Sequence, residues 1–236
     1  MRMKRILLAS SALAVLAGVQ QAQAASDMYV SVFGGANFLA DDSQALDFGG
    51  GDTERFSSDP DTGFVLGGAI GTTLDKWANG LRVELEVSYR RNDVGGTWTT
   101  DGSTGGEGGF FDANASTFAI MANAMYEINV GSKLRPYVGA GVGWARADHD
   151  VAFIETINNG TPTAPNVDST TTSENSGFAW QLALGFNYEV AADVDVGLGY
   201  RYFVGPRFEP FHQYNSNSSH DNENHAVQVN LTVGIN

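Results

Sequence analysis

Apolar and polar positions alternate with a period of two through much of the chain. In the segment LRVELEVSYR the apolar series is Leu81, Val83, Leu85, Val87 and Tyr89, and the polar series is Arg82, Glu84, Glu86, Ser88 and Arg90. Successive side chains of a strand point to opposite faces, so this segment predicts a strand with one oily and one charged face. The same patterning predicts eight strands in all, at 28–40, 62–73, 80–92, 114–128, 134–147, 176–189, 193–204 and 224–236. No helical period appears after residue 24.

The connections alternate in length. Segments 41–61, 93–113, 148–175 and 205–223 are long and rich in Gly, Ser, Thr, Asn and Asp, whereas 74–79, 129–133 and 190–192 are short. A soluble sandwich with Greek-key links has no reason to produce that order. An up-and-down barrel in an outer membrane does, because short periplasmic turns close one end and longer extracellular loops the other. The expectation is therefore an all-β, eight-stranded antiparallel transmembrane barrel with four long outer loops and three short periplasmic turns. The charged face of LRVELEVSYR then lies inside, and the oily face meets lipid.

Aromatic placement agrees with a membrane wall. Along the sixth strand the outward series runs Phe178, Trp180, Leu182, Leu184, Phe186, Tyr188, aromatic at both ends and aliphatic between. Ten steps at ~3.3 Å each, tilted by ~40°, span about 25 Å of height, the expected apolar band. Tyr89, Trp144, Tyr200 and Tyr202 fall toward the long-loop end of the same phase and Tyr126 toward the short-turn end, as two interfacial belts require. In the last strand Val227, Val229, Leu231, Val233 and Ile235 take the lipid phase.

Composition narrows the function classes. Residues 1–24 combine Arg2, Lys4 and Arg5, an apolar run and the small-x-small site Ala22-Gln23-Ala24, which predicts a secretory signal peptide and a mature domain over 25–236. The formal net charge is −14, which argues against a nucleic-acid partner. Cysteine is absent, which removes disulfides, thiolate metal sites and a Cys nucleophile.

The glycine-rich first strand MYVSVFGGANF, the third strand LRVELEVSYR, the run LRPYVGAGVGWA and the strand-loop rhythm of the whole mature chain resemble the OmpA-type eight-stranded outer-membrane barrels. Among these they are similar to the opacity-like surface antigens of Gram-negative bacteria. The resemblance implies an outer-membrane location, a surface-exposed barrel with variable loops and handling by the outer-membrane assembly machinery, and since the sequence ends with the eighth strand no peptidoglycan-binding domain is expected. Members of this family commonly end in an aromatic residue, whereas this chain ends Gly234-Ile235-Asn236.

An eight-stranded barrel has an interior that side chains just fill. By phase and height, Arg82, Glu127, Arg135 and Asp195 should lie near the short-turn end, Glu84 and Glu86 near the middle, and Arg90 and Arg201 toward the loops. Four positive and four negative charges in so narrow a space read as a paired network and not as a selectivity ring of one sign. Gly139, Gly141, Gly143, Gly197 and Gly199 share the inward phase and are expected to make room for the long Arg and Glu side chains. The expected role is structural and surface-displayed, with a plugged lumen, no catalysis and no cofactor. A narrow porin-like channel, or an adhesin-type module gripping a host or surface ligand with its loops, is the alternative. Trp98, Phe110, Phe111, Phe208 and Phe211 are the loop aromatics that would anchor such a ligand.

Candidate chemistry in the loops is thin. Ser218 and Ser219 adjoin His220, and His212, His220, Asp221, Glu223 and His225 form a His-carboxylate group without the spacing of a closed metal site. The acids Asp41, Asp42, Asp47, Asp52, Glu54, Asp59 and Asp61 of the first loop lack the fixed order of a calcium hand. They suit a diffuse role, sharing divalent cations with the phosphates of surrounding lipopolysaccharide.

Overall fold

The computed structural model describes residues 28–40, 43–49, 52–101, 107–158, 161–208 and 220–235. The predicted leader, 1–24, lies outside these residues. Ten strands run in chain order: β1 (Met28–Leu39), β2 (Ser43–Gly49), β3 (Asp52–Pro60), β4 (Gly63–Thr73), β5 (Leu81–Asp101), β6 (Glu107–Glu127), β7 (Leu134–Asn158), β8 (Thr161–Ala191), β9 (Val194–Phe208) and β10 (His220–Ile235). Every pairing is antiparallel.

Eight of these form the wall, in the order β5-β4-β1-β10-β9-β8-β7-β6, and the pairing of β5 with β6 closes the ring. First and last strands meet in register, Val32 opposite Leu231 and Gly34 opposite Val229. The other two, β2 and β3, form a hairpin that joins the ring through β3 and the outer part of β5, from Thr53 opposite Asp101 to Pro60 opposite Val94. Segment 41–61, expected as a loop, is thus largely a strand pair.

The wall obeys the two-residue period. Leu85, Val142, Leu184 and Val229 are more than half exposed on the outside at 55, 55, 53 and 55%, while Glu86, Ser88 and Arg90 between them are buried. For a lipid-facing wall this inversion of the soluble pattern is the stable arrangement, since water-loving groups have only the interior left.

The largest departure from expectation lies at the outer end. Segments 93–113 and 148–175 were read as loops, yet β5, β6, β7 and β8 continue through most of them. The reason is a change of phase. Above the membrane Asp93, Thr97 and Thr99 face out, while Val94, Trp98, Phe111, Ala113, Ala115, Ala147 and Val151 are buried inside as an apolar core, with Leu39 against them. The strands keep their period and their faces, but the chemistry of the faces is exchanged, with apolar groups now inside and polar ones outside, so the stretch looks loop-like in composition. Trp98 and Phe111, expected as exposed anchors, are each only 8% exposed; Phe110 faces outward at 39%. The side chains of Phe208 and Phe211 lie outside the described set.

This boundary is testable on one strand. Leu85→Arg should cost about 2–4 kcal/mol, as a charge at the bilayer midplane does, while Thr97→Arg, on the same face of β5 but above the membrane, should cost less than about 0.5 kcal/mol. Urea unfolding in lipid vesicles measures both, and equal costs would refute the placement of the boundary.

Candidate functional site: the lumen

The inward side chains form layers. At the periplasmic end Arg82 sits between two carboxylates, with Nη1 2.7 Å from Glu127 Oε1 and Nη2 3.2 Å from Glu84 Oε1. Tyr29 donates its hydroxyl to Glu84 Oε1 at 2.9 Å, and the Arg82 guanidinium lies 4.6 Å from the Tyr29 ring centre. Arg135 reaches Asp195 at 2.5 Å and Glu127 Oε2 at 3.8 Å. Asn187 donates to Glu127 Oε1 at 2.6 Å, so the carboxylate meets donors on several sides.

The middle layer is built on Glu86, which is fully buried. Arg201 from β9 ion-pairs with Glu86 Oε2, Asn123 from β6 donates to it at 2.8 Å, and Gln181 from β8 donates at 3.3 Å. Four wall strands are tied together by one carboxylate. Charge-assisted bonds of this kind are about twice as strong as neutral ones, which offsets part of the cost of taking both ions out of water.

Arg90 behaves differently from the expectation that it pairs with an acid. Its Nη1 donates to Ser88 Oγ at 3.0 Å and its guanidinium lies 3.9 Å from the centre of the Phe203 ring. The cation is held by a π face, a favourable contact once water is excluded. Arg201 makes a similar contact with Phe33 at 4.7 Å. These partners were illegible in the sequence because Phe33 and Phe203 occupy the polar phase.

Above the charges lies a belt of amides that the sequence reading missed. Asn37 Nδ2 donates to Asn92 Oδ1 at 2.6 Å and to Asn224 Oδ1 at 2.7 Å; Asn224 donates to Asn222 at 2.8 Å, and Asn222 to Thr117 at 3.1 Å. Asn92 also donates to the carbonyls of Asn37 and Asp61, pinning the end of the first connection. All four asparagines occur on the inward phase, toward the outer ends of β1 and β10 and midway along β5, which is the signal that could have revealed them.

The inward glycines relieve different neighbours from those expected. A Cβ at Gly141 would come within 1.9 Å of Asn123 Oδ1, one at Gly139 within 2.2 Å of the Met125 sulfur, and one at Gly199 within 2.3 Å of the Tyr137 hydroxyl. Gly143 lies against Met121, and Gly197 against Asn187 and Asn230. They make room for amides, thioethers and a phenol, and not for Arg and Glu.

On the outside, Tyr89, Trp144 and Phe178 stand toward the outer end at 38, 43 and 67% exposure, and Tyr126, Phe186 and Tyr188 toward the periplasmic end at 47, 41 and 47%. Trp180, Tyr200 and Tyr202 are half-buried because they pack sideways. Trp180 meets Tyr202 edge-on at 5.5 Å, Tyr202 meets His225 at 5.2 Å, and the Tyr200 hydroxyl lies 2.6 Å from His225 Nδ1. His225 is therefore engaged in the aromatic belt, and the side chains of His212, His220 and Asp221 lie outside the described set. So do Ser218, Ser219 and the side chains of Asp41, Asp42, Asp47, Asp52 and Glu54. Among the described residues, no three His, Cys, Asp or Glu side chains are grouped to hold a metal ion.

A closed wall of eight strands with a lipid-facing outside and a largely polar inside defines a transmembrane β-barrel. The chain belongs to the outer membrane protein beta-barrel domain family, whose sequence model matches residues 7–234, and its place is the Gram-negative outer membrane. It is 23% identical over 118 residues to the outer membrane protein PagN of Salmonella typhimurium strain LT2, an alignment covering 49% of this chain and 46% of that relative. The chain thus spans less than half the length of that relative. Among solved structures it resembles Neisserial surface protein A, with a TM-score of 0.51 and 16% identity over 89% of this chain and 99% of the other. The outer membrane protein OprG of Pseudomonas aeruginosa gives a TM-score of 0.47 and 14% identity over 90 and 96% of the two chains. These likenesses concern the fold.

The amide belt gives a second prediction. Asn92→Ala removes an acceptor from Asn37 and two donors to main-chain carbonyls, and should cost about 1–3 kcal/mol, the penalty for stranding buried polar groups. Unfolding midpoints in urea, followed in lipid vesicles, should fall accordingly.

Proposed function

We propose that this protein is a non-enzymatic structural and surface-display barrel whose lumen is plugged by paired charges. The observation that carries this reading is Glu86, held by Arg201, Asn123 and Gln181 across the middle of the ring. With the Arg82 cluster below and the amide belt above, acids and arginines alternate along the lumen, and they form no ring of one sign to draw ions through. Outside, the acids Asp93, Asp112, Asp148, Asp150 and Glu174 stand exposed or half-exposed above the aromatic belt with Arg91 and Arg146. That mixture suits the phosphates of lipopolysaccharide bridged by divalent cations. Delivery to the membrane falls to the outer-membrane assembly machinery.

A second reading, a binding module, is favoured by the strands that rise above the membrane. Among the described residues β8 pairs only with β7 from Thr161 to Ala179, and β2 pairs only with β3. Unpaired backbone at such an edge can accept an extended segment of a host or surface protein.

Planar-bilayer recording separates a plug from a narrow channel. Wild type should show no large steady conductance. Glu86→Ala strands the buried Arg201, so it should lower stability by about 3–5 kcal/mol and raise the frequency of current steps. Large steady wild-type currents unchanged by the substitution would refute the plug and favour the porin-like alternative.

A further inference from the structure

The outer face of the barrel is not evenly covered. Between β4 and β7 it carries a recess of about 760 Å³, lined almost wholly by apolar atoms. The recess is a shallow groove open to the lipid and not an enclosed cavity, and its apolar lining suits hydrocarbon laid along the wall. Its cause is a run of small outward residues: Ala122 lies opposite Leu85, and Ala124 lies between Val83 on β5 and Ala140 on β7. The rim is formed by larger neighbours, Ile70, Leu85 and Val142, which stand 44, 55 and 55% exposed.

Its height is set by register. Ala124 lies one outward position above Tyr126, a member of the periplasmic aromatic belt, so the recess belongs to the periplasmic half of the membrane. Directly beneath it are the two turns that join β4 to β5 and β6 to β7.

Those turns carry the second observation. Trp77 is 88% exposed, the most exposed large apolar side chain described, and Lys76 beside it and Lys133 in the neighbouring turn are exposed as well. Neither lysine has an ion-pair partner among the described residues. The acid closest in sequence, Asp75, is engaged within its own turn, where its carboxylate accepts the Gly80 amide at 2.8 Å. An exposed tryptophan beside a lysine at the membrane edge is the chemistry that meets a lipid headgroup.

We propose that this face is a binding site for one phospholipid of the periplasmic leaflet, with an acyl chain in the Ala122–Ala124–Ala140 recess and an anionic headgroup at Lys76 and Lys133. Methyl side chains let the acyl chain approach the strand backbone, gaining contacts that a convex wall denies it. The lysines supply the preference for negative charge, and Trp77 covers the glycerol region.

The test is native mass spectrometry of the full mature barrel, folded in detergent and offered phosphatidylglycerol and phosphatidylethanolamine of the same chain length in equal amounts. Wild type should retain phosphatidylglycerol about fivefold or more over phosphatidylethanolamine. Lys76→Gln with Lys133→Gln should abolish that preference, and Ala124→Phe, which fills the recess, should remove retention of both lipids. Gel mobility before and after heating verifies that each variant is folded, and Ala140→Phe repeats the filling from the neighbouring strand. Equal retention of the two lipids by wild type would overturn the proposal. So would undiminished retention in both phenylalanine variants, or a wild-type dimer that these variants dissociate, since a second barrel would then occupy the face.

Discussion

Hydrocarbon offers no hydrogen bonds, so every backbone amide and carbonyl within the membrane must find its partner in the chain itself. Closure of the ring meets that demand. It depends on the seam of β1 with β10, which joins residues some two hundred positions apart, whereas the other wall pairings join strands that follow one another around the ring. Once eight strands are closed, the inside is narrow and the choice of side chains there is constrained. Long polar groups fit only where a neighbour is small, and charges fit only where another charge or amide answers them.

The layers of the lumen follow from this. Arg82, Glu84, Glu127, Arg135 and Asp195 gather at the periplasmic mouth, where partial contact with water lowers the cost of charge. Glu86 and Arg201 pair in the middle, where both side chains are buried and two amides add their donors to the same carboxylate oxygen, Oε2. Toward the outside the interior turns to neutral amides and then to an apolar core. Polarity inside thus declines as the polarity of the surroundings outside rises.

Much of this was legible in the sequence, and the limits have physical causes. The strand phase of Leu81–Arg90 put Arg82, Glu84, Glu86 and Arg90 on the inner face, since a period of two leaves no freedom about which face a residue joins, and the same period on β6, β7 and β9 did so for Glu127, Arg135, Asp195 and Arg201. It could not show that Arg90 rests on Phe203, because pairing across the lumen depends on the stagger of strands distant in sequence. The outer reaches of β5 to β8 read as loops because their apolar residues lie on the inner face, opposite to the apolar face of the same strands within the membrane. Asn37 and Asn224 carry the right phase, but a lone amide in a strand gives no sign of its partners until the ring has closed. The glycines of β7 were recognised as space-making, and the occupants of that space, Asn123 and Met125, come from β6 at a register that only the pairing supplies.

The exchange of phase on β5, β6 and β7 gives the barrel a fixed draught, as a hull has. Below that line the outside is Tyr89, Phe118 and Trp144; one or two positions above it stand Arg91, Ser116 and Arg146. Sinking would drag ions into oil, and rising would lift the Tyr126 belt toward the acyl tails and bare apolar wall to the outer water. A barrel so loaded cannot bob with the membrane. The bilayer must come to it, thinning or thickening locally until its hydrocarbon meets both waterlines, so each molecule imposes its own thickness on the lipid that surrounds it.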